Sequence, residues 1–418
     1  MENYGTVVDV VEAGADPNGR EPINPILEEH AGDDTLLVFP RGEYLMDGIW
    51  QLREFERFGI VGDGAVVRPP DGYSGYLFGF GINDRAVDLH FEGITFDITA
   101  PDTGIRPLHA SIEDRLYVKD VTVRGLHDTD QDSFRFDVTS PDGEGVVENL
   151  RMPDGGVPQY LITACYVGDI SVGQLTFRDC HIAGYPDNGI YASQANGPVH
   201  VIGGLYENNN VSNVRVSSHA VIRGVTVRSN QRIEGFNNVR GIRLRSGRNI
   251  LVEDCDVEFS EVRRSGGAIV MHDDLQTAVV RNTRVRVDTD GVPAIIAKSP
   301  AHPLPDGAPG LRFENVEISG TAADDSAIVL DERESNELSG ICIHQSGARR
   351  NGIRMIRSND NRLRDSWIHV TGEPLVLQNS RTTRENVTMG KASPDDGNAS
   401  CSELRLAASR TGTARNGG

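Results

Sequence analysis

Apolar and polar positions along the chain keep returning to one six-residue template. It reads apolar, any residue, then Asn, Asp or Gly, then apolar or small, any residue, apolar. Phe313-Glu314-Asn315-Val316-Glu317-Ile318 carries it in full, and Phe91 to Phe96, Phe177 to Ile182, Val252 to Val257 and Val280 to Val285 repeat it. Its third position falls at 93, 120, 149, 179, 204, 224, 254, 282, 315, 340, 365 and 386, in steps of 20 to 33 residues. A self-similar unit of that size, rich in β-branched residues and without helical period, predicts stacked coils. A second repeat with a small-then-apolar opening lies between the copies: Gly189-Ile190, Gly241-Ile242, Gly267-Ala268, Pro293-Ala294, Ser326-Ala327, Gly352-Ile353 and Pro374-Leu375.

Two short strands per coil, bounded by Gly, Asn, Asp or Pro, predict an all-β chain: a single-stranded right-handed parallel β-helix. Rungs of such a solenoid lie about 4.8 Å apart, so equivalent apolar positions stack into one core. An Asn or Asp at the repeated turn has the chemistry to bond its own backbone and the turn below. Before the coils, Ile23, Ile26, Leu27 and His30 follow at helical spacing between Pro22 and Ala31. They predict a short helix that caps the open end of the stack. The expected layout is 1–57 cap and entry, 58–389 β-helix of about twelve coils, and 390–418 a low-complexity, disordered tail.

Length and charge narrow the setting. With 418 residues several domains would fit, but a solenoid grows in one dimension and one elongated domain is expected. Aromatics make up 6%, which suits a core of Val, Ile and Leu. A net charge of −20 argues against a nucleic-acid partner. Three Lys (Lys119, Lys298, Lys391) against 38 Arg, with abundant Asp, fit an acidic protein kept soluble at high salt. The five cysteines show no CxxC spacing and read as buried thiols rather than a disulfide framework. Met1 to Val11 has neither the basic nor the apolar region of a signal peptide, and no apolar run is long enough to span a membrane. Localisation stays open, with an extracellular, cell-surface or virion setting expected from the architecture.

One segment is more specific. A strand, the turn Gly14 to Gly19, a short helix, then Val38-Phe39-Pro40-Arg41-Gly42-Glu43-Tyr44 resembles the N-terminal entry of the pectin lyase-like superfamily, which includes polygalacturonases, pectate lyases and phage tailspikes. With its composition, the chain is similar to β-helix repeat proteins of halophilic archaea or their viruses. The resemblance implies the fold; activity is argued from residues. The polygalacturonase set Asn-Thr-Asp, Asp-Asp, Gly-His-Gly and Arg-Ile-Lys is not matched: Pro186-Asp187-Asn188-Gly189 stands where the first would lie, and Arg240-Gly241-Ile242-Arg243 is a distant echo of the last. The Ca²⁺ ligand set of a pectate lyase is not recognisable either.

Register then nominates a groove. Tyr191, Arg215, Arg243, Ile269, Ile295, Ile328 and Arg354 read as one outward row. Gln194, Ser218, Ser246, His272, Lys298, Asp331 and Arg357 follow just past the strands. The expected substrate-binding residues are Tyr191 for stacking, and Arg215, Arg243, Lys298 and Arg357 for uronate or sulfate. Hydrolysis needs two carboxylates about 5–9 Å apart. Asp273 with Asp331 or Glu332 is the nominated pair, beside His272. The isoleucines read as a lateral contact. No metal or cofactor is expected; Asp128, Asp130 and Asp132 resemble a Ca²⁺ ligand spacing, yet the rest of an EF-hand loop is missing, so Asp128 to Gly145 reads as a solvated loop. The inserted stretch Ala301 to Gly310 reads as a loop on the binding face.

The expected function is to bind, with cleavage as an open step, an acidic polysaccharide or glycoconjugate as hydrolase or lyase. The competing reading is a non-catalytic structural or adhesion protein with a β-helix shaft, such as a virion spike, for which a homotrimer is one candidate assembly.

Overall fold

The third position of the template is where the backbone turns. In a computed structural model of the protein, all twelve of these residues have φ between +50° and +87°. That left-handed region admits Gly freely and Asn or Asp with little strain, which is why the sequence alternates among those three types. The turn splits each template into two strands: Arg115–Lys119, Asp120, then Thr122–Arg124, or Arg312–Glu314, Asn315, then Glu317–Gly320. With the second repeat, such as Phe134–Val138 or Ser326–Asp331, a coil therefore has three strands and not the expected two. Side chains at the turn bond from coil to coil. Asn315 Nδ2 donates to Asn282 Oδ1 at 3.3 Å, Asn386 Nδ2 to Asp365 Oδ1 at 2.7 Å, and Asn149 to Asp120 likewise.

The coils form a right-handed parallel β-solenoid of about 13 turns, 54% strand and 2% helix. Residues 4–303 and 309–393 are described; the tail from 394, Cys401 and the centre of the 301–310 insert lie outside them. Contacts divide the chain into two compact units, Met1–Ala220 with Glu234–Phe236, and Val221–Ile233 with Asn237–Gly418. In the first unit, Thr6–Asp9 already pairs in parallel with Thr35–Phe39, and that strand with Phe55–Arg68. The entry segment thus supplies rungs of its own. The helix is Asn24–His30, with Pro25 in its first turn, where no intrahelical donor is lost. Ile23 and Leu27 are its buried anchors.

Packing follows the rungs, with one departure from expectation. The first unit stacks phenylalanines rather than aliphatics: Phe78 and Phe80, Phe91 and Phe96, and Phe134 and Phe136 lie nearly parallel at 6.2, 6.2 and 5.5 Å. A low overall aromatic content had hidden their concentration in the first unit. Cys165, Cys180 and Cys255 are buried free thiols, as expected, whereas Cys342 is in a disulfide, which corrects the reading of all five as thiols.

Charges on the outer surface alternate from rung to rung. Arg223, Glu253, Arg281 and Glu314 are register neighbours, and Glu253 accepts from both flanking arginines. Asp88 with Arg115 and Asp97 with Arg124 repeat this in the first unit. At rung spacing like charges would repel, so opposite pairs are the stable arrangement.

Two arginines go inside the second unit. Arg333, 1% exposed, donates to the carbonyls of Lys298, Leu275 and His272 at 2.8, 2.6 and 2.8 Å. Arg350, 0% exposed, donates to Gln345 Oε1, Asp324 O and Val292 O at 2.7, 2.7 and 2.8 Å. Each fork ties successive coils together through main-chain oxygens. Burial pulls both guanidinium groups down to about 10.

Candidate functional site

The second repeat builds the sheet on which the nominated residues stand. In the second unit its outward row is Arg243, Val270, Ile296, Val329, Arg354 and Val376. Ile269, Ile295 and Ile328 are in register with one another but point inward, each 0% exposed. The expected row had slipped by one residue at Ile269, and a one-residue slip exchanges the two faces of a strand. The lateral isoleucine contact is therefore withdrawn: these side chains are core.

The next outward position holds His272, Lys298 and Asp331, each directly after the paired residues Met271, Ala297 and Leu330. Arg245, not Ser246, meets His272, with Nη1 at 3.0 Å from its Nδ1. Arg245 also bonds Asp273 at 3.4 Å and Asp274, and His272 touches Asp273. Beyond Asp331 the ladder continues with Ile356. Arg357 stands outside it and is engaged by Asp331 at 3.0 Å and by Glu332. The nominated carboxylates are thus each held by an arginine: Asp273 by Arg245, Asp331 by Arg357.

Electrostatics sharpen this picture. Burial, with Arg243, Arg245 and Lys298 nearby, pushes His272 down to about 4, so it is neutral at ordinary pH. Burial acts to raise Asp273, but His272 and Arg245 outweigh it and hold the carboxyl below its usual range. Burial, then Arg240 and Arg243, lowers Lys298, with Asp273 opposing. Its ammonium makes no ion pair with the described residues. His272, Asp273 and Asp274 bring one ligand atom each within 4.8 Å of one another, but Arg245 donates into that cluster, where a cation would meet a guanidinium.

In the first unit the equivalent outward row is His109, Arg135, Tyr166, Tyr191 and Arg215, one residue per rung. The Arg215 guanidinium lies 4.0 Å over the Tyr191 ring, and Arg135 lies 5.4 Å over Tyr166. The two tyrosine rings meet edge to face at 5.4 Å. Tyr191 and Arg215 are therefore neighbours as expected, but one face of Tyr191 is covered by Arg215 instead of being open to a sugar. The strand Phe134–Val138 lies inside the stretch read as a solvated loop. Its Asp residues are structural ligands of the chain itself: Asp128 accepts from the backbone of Asp102, Thr103 and Gly104, and Asp132 from Thr163 N at 2.8 Å.

Sequence reasoning missed Arg135 and read Asp132 and Asp137 only as charges of a solvated loop, because Phe134-Arg135-Phe136-Asp137 lacks the small opening residue of the later copies. The alternation Phe, Arg, Phe, Asp is the signal that could have found them. Asp137 is 0% exposed; Arg135 Nε donates to its Oδ2 and Gly168 N to its Oδ1, both at 2.7 Å. Burial pushes Asp137 up, against the pull of Arg135 and the Gly168 N–H. Burial likewise raises Asp132, opposed by Thr163 and Arg106 and reinforced by Asp187. Thr163 links these acids, its Oγ1 donating to Asp187 Oδ2 at 2.7 Å. His109, flanked by burial, Arg135 and Arg106, is pushed down to about 3.

A separate groove of about 400 Å³ in the second unit is lined by Arg228, Asp256, Glu258, Arg284 and Arg286. Its charges are already matched: Arg284 forks onto Asp256 at 2.6 and 2.7 Å, and Arg286 pairs with Asp288 at 2.8 Å. No described helix is long and apolar enough to cross a membrane.

No family model and no curated protein matches the chain. Solved structures do. The surface adhesin PfbA of Streptococcus pneumoniae superposes with a TM-score of 0.54 at 11% identity, covering 93% of this chain and 92% of that one. Bacteriophage phi29 gene product 12 gives 0.57 at 10% identity, over 94% of this chain and 58% of its own length. DFA-IIIase from Arthrobacter chlorophenolicus A6 gives 0.50 at 12%, over 88% and 95%. At such identities the likeness concerns architecture alone, that of a parallel β-helix, in agreement with the parallel registers.

Proposed function

We propose that this protein binds acidic polysaccharide or glycoconjugate along the outward face of the sheet built by the second repeat. One observation carries the reading. In a chain of net charge −20, neither central row of that face holds a carboxylate, whereas the rows of the other surface alternate Arg with Glu or Asp. Arginine and tyrosine stand there instead: Arg135, Tyr166, Tyr191 and Arg215 in one unit, Arg243 and Arg354 in the other. Guanidinium groups suit the carboxylates and sulfates of such a glycan, and tyrosines its hydroxyls. The surface adhesin among the fold neighbours is in keeping with a binding role for such a fold.

Cleavage is a further step within the same reading. Asp273, held ionised, is a poor proton donor, and Asp331 is bound to Arg357. Asp132, raised by burial and linked through Thr163 to Asp187, meets the requirements of a general acid better. A non-catalytic adhesion or shaft protein shares the binding step and differs in turnover; a homotrimer and a high-salt habitat belong to that reading as proposals.

The test is titration with polygalacturonate, a sulfated glycan and neutral dextran at low and high salt, with reducing ends followed in parallel. Binding of the acidic glycans that weakens with salt, without binding of dextran, is the expected result. Equal binding of dextran, or none of any glycan, contradicts the proposal.

A further inference from the structure

We propose that Arg135 is the carboxylate-reading residue of a uronate subsite in the first unit, and that the buried Asp137 is its positioning residue. The inference rests on the acidic-glycan reading and gives it a place and a ligand class.

The geometry is that of a brace rather than of a surface ion pair. An arginine that merely neutralised an aspartate would fork onto both of its oxygens. Here the carboxylate is divided, one oxygen taking Arg135 Nε and the other the Gly168 N–H, each at 2.7 Å. The terminal nitrogens of Arg135 form no hydrogen bond with the described residues, and its side chain is 24% exposed while that of Asp137 is 0%. A fully buried carboxylate is costly unless its donors are fixed. Asp137 thus fixes the orientation of the guanidinium through Nε and leaves the paired N–H groups of its terminal edge uncommitted, the spacing that a planar carboxylate fits.

Gly168 belongs to the same device. A Cβ there would lie 2.7 Å from Arg135 Nη2 and 3.1 Å from Asp137 Oδ1, so a side chain would displace both members. On either side in the row stand the buried His109, a neutral imidazole, and Tyr166, a phenol that can serve a sugar hydroxyl; neither carries a competing negative charge. At rung spacing of about 4.8 Å, one uronate ring spans from Arg135 to either neighbour. The charge-assisted pair would supply selectivity for the free acid over its ester, since the ester offers neither the charge nor two equivalent oxygens.

The test uses the full chain and two probes that differ only at their carboxyl groups, hexagalacturonate and its methyl ester, with folding checked by circular dichroism and the melting midpoint. Arg135→Gln is expected to weaken hexagalacturonate binding roughly tenfold or more and to leave the ester unchanged. Arg135→Lys does not restore it, because an ammonium cannot replace a braced fork. Asp137→Asn moves the same selectivity in the same direction; should that variant fold poorly, the variants at the part-exposed Arg135 decide alone. Unchanged binding of the acid by Arg135→Gln, or an equal loss for acid and ester, overturns the assignment. Wild-type protein that binds sulfated glycans but not hexagalacturonate overturns it as well, with the wider reading intact. Wild-type protein that binds no acidic glycan overturns both.

Discussion

Replacing Arg350 with methionine lowers the stability of the protein by about 3 kcal/mol, read as a fall in the urea unfolding midpoint. Two terms oppose each other. Burial has pulled this guanidinium from 12.5 to about 10, so removing the charge returns about 3 kcal/mol. Against that, three hydrogen bonds from a charged donor disappear, each worth about 1.5–3 kcal/mol. They also leave Val292 O, Asp324 O and Gln345 Oε1 in the interior without that donor. The second term is the larger. Arg350→Lys is nearly as damaging, since one ammonium does not reach three acceptors on separate coils. An unchanged midpoint for Arg350→Met contradicts this account of the buried arginines.

Stability falls on the acid side well before the carboxylates protonate, and two buried histidines, His127 and His109, are the main causes. His127 is 0% exposed, and neither ring nitrogen has a hydrogen bond of normal geometry. Burial, opposed by the Gln131 backbone, pushes it from 6.5 down to about 4. The unfolded chain then takes up its proton first. Stability from this group is complete above 6.5 and is lost as pH falls toward 4, by about 3 kcal/mol in all. His109, depressed to about 3, contributes at least as much in the same direction, and the half-buried His272, depressed to about 4, contributes less. The raised Asp132 and Asp137 act oppositely, protonating in the folded protein before the unfolded one, at the acid end of the window. His127→Leu is expected to make the fall of the melting midpoint between pH 6.5 and 4 measurably shallower, with the remainder left to His109 and His272. A variant that retains the full acid slope shows that another group is responsible.

The coils were legible because a solenoid repeats its physics. Each return of the chain needs a residue tolerant of positive φ, and Asn149, Asp254 and Gly340 answer that need with different side chains in one backbone state. What sequence could not settle was register. Arg243 and Val270, rather than Arg243 and Ile269, share the outward row, because a bulge shifts pairing between Val239–Gly247 and Ser265–Leu275. A shift of one residue is invisible in an apolar run such as Ala268-Ile269-Val270-Met271, where both faces are buried. The Phe134–Val138 rung was missed for a related reason: Asp137 sits in a strand, buried, where acidity usually signals a loop. Likewise Arg333 and Arg350 read as surface charge, since nothing local in the chain distinguishes an arginine that turns inward.

The central claim, that acidic glycan lies on the outward face of the second-repeat sheet, is tested most directly by amide hydrogen exchange with and without polygalacturonate. The account predicts slowed exchange in and beside Phe134–Val138, Cys165–Tyr166, Asn188–Tyr191 and Ser212–Val216. Protection confined to Thr226–Asn230, Asp256–Glu261 and Arg284–Val287, the groove of paired charges, would contradict it.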